Sequence, residues 1–407
     1  MENTETAAFS LLRNGQAPDN QDLLCELSEG IDFITDFWKE KYLQEYIKKG
    51  GSKIKFVTGR TGCGKTHLLN LFSFTAAQEN YITVHFSARD IWMHDFKEVY
   101  VEILRQADIL QCLKGCSRTI IAELGFDYHE IPDHMTLMDY LSDHDLADAV
   151  TRREIRLLLK KLFLDNPLID NNFAIACCLL TGGLLGHPIL EEQSGELLLA
   201  WISGEKSVKL SSLRALGLSP CKITKFNARH MLRSLTEVVR LAGYSGLLVT
   251  VDNLEILLNK SSLEPLHYTK LKREDTYESI RQLIDDIDSL RHIMFIFAFD
   301  RELLDHENAG IKSYQALWMR IQNEIIGERF NRFTDMVDLD RLAEQEYTPE
   351  VLIRMSTKLA KVMNREKFYT TAIDETEALA LITQAKNGSQ SIPRLVNIAT
   401  LEVKNDV

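Results

Sequence analysis

The eight residues from Gly59 to Thr66 constrain the fold of this 407-residue chain more than any other feature. Their sequence, Gly-Arg-Thr-Gly-Cys-Gly-Lys-Thr, fits the pattern Gly-x-x-x-x-Gly-Lys-Ser/Thr of a phosphate-binding loop. The apolar run 53–58 before the loop predicts a strand, and the run 67–72 after it predicts a helix. Because glycines let backbone N–H groups turn toward phosphate oxygens at the start of a helix, this junction predicts a nucleotide site.

The individual residues of the loop have predictable tasks. Lys65 is expected to reach the β- and γ-phosphates, and the Thr66 hydroxyl is expected to ligate Mg²⁺. The predicted cofactors are therefore ATP and Mg²⁺. The residues predicted to contact the nucleotide are Gly59, Arg60, Thr61, Gly62, Cys63, Gly64, Lys65, Thr66 and His67. His67 is also expected to pack on the first helix.

Composition excludes several classes of protein. Hydrophobic residues make up 45% of the chain and charged residues 26%, which is ordinary for a globular protein. The net charge of −12 excludes a surface that is basic everywhere, so contact with DNA would need a local patch. The most apolar stretch, 173–185, is too short to span a bilayer, and the seven cysteines lack metal-binding spacing. A cytoplasmic protein with reduced thiols and no membrane contact is expected.

The pattern of apolar runs predicts the order of the domains. Strands are predicted at 53–58, 81–86, 246–252, 292–300 and 336–339. Since these runs are almost continuously apolar and alternate with helical patterns, they indicate a parallel sheet covered on both faces. We therefore predict an α/β fold of the P-loop NTPase type, AAA+-like, in five parts. These are an N-terminal helical segment (1–50), the first part of the ATPase core (51–110), a helical insertion (111–240), the second part of the core (241–342) and a C-terminal helical lid (343–407).

The apolar strand predicted at 246–252 ends in the carboxylate Asp252, which is predicted to position Mg²⁺. The next residue, Asn253, can hold a water molecule but cannot take its proton. Glu255 is therefore the candidate for water activation, and the alternative is that it is a solvated charge at a helix start. Hydrolysis is expected to be slow or to depend on a partner. At the ends of other strands, Asp300 and Ser87 are candidates for polar contacts beside the phosphates, or are ordinary turn residues.

Arginines later in the chain are candidates for contact with the γ-phosphate. Arg329 and Arg332 are better placed than Arg320 to act as a finger across a subunit interface, although each can also be a surface arginine. Arg394 opens a helix of the predicted lid and is expected to point back at ATP. The order of phosphate loop, strand-end aspartate, sensor strand, arginines and lid arginine matches the AAA+ plan and predicts a homo-oligomer.

A basic stripe on one predicted helix provides a local patch for a partner. It consists of Arg152, Arg153, Arg156, Lys160 and Lys161. Such a stripe can follow a DNA backbone or dock an acidic protein, and the alternative is a solvated amphipathic face.

Several segments resemble the ATP-binding proteins of BREX-type bacteriophage-defence systems, along nearly the whole chain. The similar segments are 12–18 (Leu-Arg-Asn-Gly-Gln-Ala-Pro), the phosphate-loop segment 51–69, 201–205 (Trp-Ile-Ser-Gly-Glu), 242–247 and 310–320. The strand-end motif of that family usually has Asp-Glu-x-Glu, whereas this chain has Asp252, Asn253, Leu254 and Glu255. The resemblance implies a cytoplasmic ATPase that acts with other defence proteins, such as an effector nuclease or modification enzyme.

Three functions follow as hypotheses. The first is an AAA+-like ATPase that assembles into a ring or partial ring and uses ATP to rearrange partner proteins or DNA. The second is an ATP-gated scaffold that hydrolyses little and recruits an effector nuclease or modification enzyme, which Asn253 favours. The third is an initiator- or loader-type DNA-binding ATPase, which the lack of a recognisable winged-helix tail weakens.

Overall fold

A parallel β-sheet forms the centre of the molecule. The computed structural model describes residues 11–12, 14–18, 20–261, 265–322, 332–365, 368 and 370–402. Within these residues the sheet has five strands in the order β2-β3-β4-β1-β5, and every neighbouring pair is parallel. The strands are β1 (Ser52–Gly59), β2 (Tyr81–Ser87), β3 (Gly246–Asp252), β4 (Ile293–Asp300) and β5 (Met336–Asp338). The predicted α/β class with a parallel sheet is confirmed.

The strand register brings polar strand ends together at one edge of the sheet. Gly59 at the end of β1 pairs with Asp300 at the end of β4, and Ser87 at the end of β2 pairs with Asp252 at the end of β3. Because all the strands run in the same direction, their carboxyl ends meet at this edge, where ligands bind in open α/β sheets. The register alone therefore assembles residues that lie far apart in the chain.

Helices cover both faces of the sheet. The helices before β3 form two groups, those around β1 and those between β2 and β3, and we call the second group the insertion. The first ones are α1 (Gln21–Leu27), α2 (Asp32–Phe37, continued as a π-helix over Trp38–Ile47) and α3 (Lys65–Gln78), which follows β1. The insertion between β2 and β3 contains α4 (Phe96–Ala107), α5 (Ile109–Glu123), α6 (Leu137–Asp143), α7 (Ala149–Leu159, continued as a π-helix over Lys160–Leu164), α8 (Asn171–Leu185), α9 (Glu192–Ile202), α10 (Leu210–Arg214) and α11 (Ala228–Leu241).

The remaining helices lead to a C-terminal group that we call the lid. Around β4 lie α12 (Lys270–Asp285), α13 (Ile287–Leu290), α14 (Arg301–Asp305) and α15 (Gln315–Ile321), and α16 (Leu339–Glu346) follows β5. The lid consists of α17 (Pro349–Arg365), α18 (Glu375–Asn387) and α19 (Ile392–Leu401), which pack against one another. Short 3-10 helices lie at Tyr128–Glu130, Leu254–Leu258 and Ile311–Ser313.

Alternation along the strands divides the apolar side chains between two cores. On β1, Phe56 points into the core shared with the insertion, and the next residue, Val57, points into the core shared with α2, α3 and the lid. The apolar segment 173–185 lies within α8 and packs in the first of these cores, as a buried helix does. No helix in the described ranges has the length and apolar character that crossing a membrane would require.

The packing around Phe56 gives a test of the sheet core. Phe56 is buried and stacks on Phe297 of β4, with 5.7 Å between the ring centroids. Phe56→Ala is expected to lower the free energy of unfolding by about 3–5 kcal/mol, because it leaves a cavity between the sheet and the insertion. Urea unfolding followed by circular dichroism measures this change. Phe226→Ala, which removes an exposed ring, is the control and should stay within about 0.5 kcal/mol of wild type.

Candidate functional site

The loop between β1 and α3 has the backbone shape that phosphate binding requires. Gly62 and Gly64 have φ angles of 80° and 101°, in the left-handed region that side chains disfavour. A Cβ atom on Gly62 would also lie 3.0 Å from the Cβ atom of Arg394. The first turn of α3 begins directly after Gly64, so its unpaired N–H groups face the space that the loop encloses.

Lys65 lies at the centre of this edge and is held by a carboxylate. Its Nζ atom donates to Asp300 Oδ1 over 2.6 Å and to the carbonyl oxygens of Gly59 and Arg60 over 3.2 Å each. Burial acts to lower the pKa of Lys65, but the groups around it, including Asp300, outweigh burial and raise that pKa. The lysine is therefore a cation that already faces the loop.

The second polar pair joins the loop to β3. The Thr66 hydroxyl donates to Asp252 Oδ2 over 2.5 Å, and Asp252 Oδ1 accepts from the backbone N–H of Asn253 over 2.7 Å. A hydroxyl and a carboxylate are the hard oxygen ligands that Mg²⁺ accepts, so the pair fits this ion. Within the part of the chain that the structure describes, no group of three or more His, Cys, Asp or Glu side chains forms a metal cage. The other ligands would therefore be phosphate oxygens and water, as is usual for Mg²⁺.

Glu255 and Asn253 are both engaged by neighbours. Glu255 accepts from the Arg89 guanidinium over 3.0 Å and from the backbone N–H of Asp300 over 3.2 Å. Asn253 has a φ of 59°, and its side-chain oxygen accepts from the Ser87 hydroxyl over 3.0 Å. The Glu255 side chain is only 14% exposed, so it is not a freely solvated charge in this conformation.

Asp300 links the two halves of the loop. While Oδ1 binds Lys65, Oδ2 accepts from the Thr61 hydroxyl over 3.0 Å. The Asp300 carboxylate thus accepts from two side chains of the loop, Lys65 and Thr61. Ser87, the other strand-end candidate, contacts Asn253 and accepts from the backbone N–H of Arg89 over 3.1 Å.

A cavity of about 650 Å³ opens above this edge. Its polar lining, part of which we call the polar half, includes the loop together with Asp252, Glu255 and Asp300. Its apolar lining, which we call the apolar half, comes from the N-terminal segment, α16 and the lid. Its apolar lining residues are Leu11, Leu12, Ala17, Pro18, Leu27, Ile31, Leu339, Tyr347, Met355, Leu359, Pro393 and Val396. A polar half next to an apolar half is the lining that a nucleotide needs, because it carries both phosphates and a flat base.

Arg60 connects the loop to the lid. Its guanidinium donates to the carbonyl oxygens of Ala385 (3.1 Å) and Gly388 (2.9 Å), at the end of α18. Its backbone N–H donates to Asp340 Oδ2 over 2.6 Å, and its Nε atom lies 3.1 Å from the other oxygen of this buried carboxylate. The Arg60 side chain therefore points toward the lid rather than into the loop.

Arg394 borders the cavity from the lid side. Its stem packs against Gly62, and its guanidinium donates to the carbonyl oxygen of Asn14 over 3.2 Å. A Cβ atom on Gly15 would lie 1.8 Å from the same guanidinium. Arg394 thus lies between the phosphate loop and the N-terminal segment, within the cavity wall, and its contact with ATP stays a prediction.

The other predicted arginines lie elsewhere. Arg329 lies outside the described residues. Arg332 stacks over the Phe33 ring at 5.5 Å, before the edge strand β5, and is not among the residues that line the cavity of its own chain. Arg320 forms a two-pronged ion pair with Asp285. The assignment of a finger to Arg329 or Arg332 stays a prediction about an interface between copies of the chain.

Two further loop-region residues are neutral. Removal from water lowers the pKa of His67 to about 4, and its Nε2 atom lies 2.8 Å from the Ser28 hydroxyl. Burial raises the pKa of Cys63 to about 12, so its thiol stays protonated. Both side chains border the cavity without adding charge to it.

Sequence reasoning did not single out Arg89, Asp340 or the apolar half of the cavity. Arg89 follows β2 by two residues, and a positive charge just after a strand end is a signal that was available. Asp340 lies in the first turn of α16 after β5, where it looks like an ordinary helix-start acid. Segment 12–18 stands out in the sequence only for its resemblance, since nothing local shows that Leu12 and Asn14 contact the lid.

The basic stripe lies on the outer side of the insertion. Arg152, Arg153 and Arg156 are exposed on α7, while Lys160 and Lys161 lie near Asp165 (3.9 Å) and Glu123 (3.5 Å). The same helix also exposes Val150 and Leu157. Contact of this stripe with DNA or an acidic protein remains a prediction.

Comparison with known proteins identifies one family. A family model described as "BREX system ATP-binding protein BrxC/D" matches residues 8–396. Comparisons with curated proteins and with solved structures gave no match.

Removal of the Lys65 ammonium should strongly weaken nucleotide binding. Lys65→Ala is expected to weaken ATP binding by about a hundredfold or more, because the phosphates would lose a charged donor and would face the negative charge of Asp300 without a compensating cation. Isothermal titration calorimetry with ATP and Mg²⁺ measures the loss. Lys270→Ala, which removes an exposed lysine on α12, is the matched control and should bind like wild type.

Loss of the Arg60 guanidinium should loosen the lid. Arg60→Ala is expected to speed amide exchange around residues 385–391 several-fold and to weaken ATP binding by roughly threefold to tenfold, since each lost hydrogen bond contributes about 1 kcal/mol. Hydrogen–deuterium exchange with mass spectrometry tests this. Arg354→Ala removes a lid arginine that binds Glu29 instead of reaching the loop. If both variants loosen the 385–391 segment equally, Arg60 has no special part in holding it.

Proposed function

The chain belongs to the BREX system ATP-binding protein BrxC/D family, and from this premise we propose that it is an AAA+-like ATPase whose lid moves with the state of the bound nucleotide. It is an ATP-binding protein of the BREX anti-phage defence system. The proposal adds hydrolysis, self-assembly and action on partner proteins or DNA of that system.

The observation that supports ATP binding most directly is the convergence of Lys65, Thr66, Asp252 and Asp300 at one sheet edge. These residues come from the start of α3 and from the ends of β3 and β4, and they meet at an open cavity. A cation, a hydroxyl and a carboxylate in this arrangement suit a triphosphate with its metal ion.

Binding of ATP would exchange partners within the polar half of the cavity. Lys65 would leave Asp300 for the β- and γ-phosphates, and the Thr61 hydroxyl would be released from the same carboxylate. Mg²⁺, held by Thr66 and Asp252, would supply charge neutralisation for the phosphate oxygens. Asp300 would remain within reach of the terminal phosphate through water, as a sensor of its presence.

The apolar half of the cavity suits the nucleotide base. Leu12 and Pro18 belong to the N-terminal segment, Tyr347 follows α16, and Pro393 and Val396 belong to the lid. A base between these groups would contact the N-terminal segment, Tyr347 and the lid at the same time. Nucleotide binding would therefore fix the lid against the N-terminal segment.

Hydrolysis requires a change around Glu255. In the described conformation both of its carboxylate oxygens accept hydrogen bonds, from Arg89 and from Asp300 N–H. Glu255 would have to release Arg89 before it could orient a water molecule as a general base. Arg329 or Arg332 from a neighbouring copy would then stabilise the charge that develops on the γ-phosphate.

A second candidate function is an ATP-gated scaffold for an effector nuclease or modification enzyme. The engaged state of Glu255 favours it, together with Asn253 at the position after Asp252, because neither residue is ready to accept a proton. In that case ATP would fix the lid and the partner surface with little turnover.

Steady-state phosphate release separates the two functions. The ATPase proposal expects measurable release by wild type with ATP and Mg²⁺, and a loss of about a hundredfold or more for Glu255→Gln, the size of a general-base contribution. Glu346→Gln, which changes an exposed acid at the end of α16, is the control. If wild type binds ATP and releases no phosphate, alone or with DNA and partner proteins, the scaffold is the correct function.

Self-assembly has its own test. Mass photometry with ATP and Mg²⁺ is expected to show particles heavier than the 46.6 kDa monomer, because the finger arginine acts across a subunit interface. Lys65→Ala, which should not bind ATP, is expected to remain at the mass of nucleotide-free wild type. Equal mass distributions for both proteins with and without ATP would contradict nucleotide-driven assembly.

A further inference from the structure

One part of the insertion is strongly basic although the chain as a whole has a net charge of −12. Residues 206–236 contain seven Lys or Arg residues and no Asp or Glu. The basic residues are Lys206, Lys209, Arg214, Lys222, Lys225, Arg229 and Arg233. A basic segment in an acidic protein concentrates positive potential in one place, which attracts a polyanion.

Four lysines meet at a cleft of about 310 Å³ between α4, the end of α9 and the turn before α11. They are Lys97, Lys206, Lys222 and Lys225. Of these, only Lys225 has a carboxylate partner in the described ranges, Asp275 at 3.9 Å. The acids that line the cleft are Asp95, which caps α4, and Glu205. Positive charge therefore exceeds negative charge within the cleft.

Phe226 stands next to these lysines with its ring in solvent. It is 86% exposed, and the Lys225 ammonium lies 5.5 Å from the ring centroid. Exposing a phenylalanine ring to water is unfavourable unless a partner covers it. We call Phe226 and the four lysines of the cleft the lysine–Phe226 surface.

The turn that carries Phe226 is held by hydrogen bonds. Asn227 accepts from the backbone N–H of Thr224 over 2.7 Å and donates to the carbonyl oxygen of Lys222 over 3.1 Å. Trp201 donates from Nε1 to the carbonyl oxygen of Cys221 over 3.0 Å and so fixes the turn to α9. The ring and the ammonium groups are thus presented by an ordered backbone.

We propose that the lysine–Phe226 surface binds single-stranded nucleic acid, with phosphates along the lysines and one base stacked on the Phe226 ring. Single strands are bound in this way elsewhere, because every unpaired base offers a flat face and every linkage a negative charge. In a duplex the base faces are covered by their neighbours, so a stacking ring favours the single strand. This site is separate from the nucleotide cavity, with which it shares no lining residue.

The basic stripe on α7 is a weaker candidate for the same ligand. There the arginines alternate with exposed Val150 and Leu157, and Lys161 lies 3.5 Å from Glu123. Aliphatic side chains offer no stacking surface to a base. Arg153 of this stripe therefore serves as a charge-matched control.

Fluorescence anisotropy with labelled oligothymidine and oligouridine tests the proposal. Probes of about 20 nucleotides are long enough, because single-strand binding sites on OB folds cover about 4–16 nucleotides. Wild type is expected to bind at least one of the two at about 0.15 M salt, and the comparison separates DNA from RNA. Phe226→Ala is expected to weaken binding about tenfold through the lost stacking. Lys222→Gln is expected to reduce the salt slope by about 0.7, the value for one phosphate contact on a single strand.

Two control variants separate this surface from the rest of the molecule. Arg153→Gln and Ile189→Ala, which remove an exposed charge and an exposed apolar group elsewhere, should bind like wild type. Phe226→Ala should retain ATP binding, so failure here is distinct from failure of the nucleotide site. The proposal is overturned if wild type binds neither oligonucleotide, or if Arg153→Gln loses as much affinity as Lys222→Gln. It is also overturned if a DNA duplex or polyglutamate binds as tightly as the single strands and Phe226→Ala has no effect.

Discussion

The parallel register of the five strands is the constraint on which the whole site depends. It pairs Gly59 with Asp300 and Ser87 with Asp252, so four strand ends that are far apart in sequence reach one edge. Since β4 lies between β1 and β3, Asp300 is placed between the phosphate loop and the carboxylate of Asp252. The insertion of helices α4 to α11 between β2 and β3 leaves this edge intact, because it packs against one face of the sheet.

The ion pair between Lys65 and Asp300 stabilises the described conformation of the site. A nearly buried ammonium without a partner would be costly, and the carboxylate compensates for its lost hydration. The same carboxylate also holds Thr61, and the backbone N–H of Asp300 holds Glu255. A ligand that binds Lys65 in place of Asp300 would therefore alter the hydrogen bonds around both the loop and Glu255.

Short polar contacts join the lid to the phosphate loop, in addition to the apolar core that the lid shares with α2 and α3. Arg60 binds the end of α18, Ser391 lies 3.5 Å from the Thr61 carbonyl oxygen, and Arg394 packs on Gly62. Contacts of this kind are individually weak, so they can be remade when a nucleotide enters. The N-terminal segment closes the apolar half of the cavity from the other side, and its Asn14 carbonyl accepts from Arg394.

The sequence by itself determined the strands, the phosphate loop, the closeness of Thr66 to Asp252, and the family, because these rest on local patterns of apolar residues, glycines and strand-end acids. It also led to Arg394 as a lid residue near the loop. Only the tertiary structure decided that Arg60 points to the lid, that Asp340 fixes it, that Glu255 is engaged by Arg89, and that Leu11, Leu12 and residues 15–18 line the cavity. These contacts join positions up to several hundred residues apart, and a single sequence carries no signal for which distant side chains share a partner.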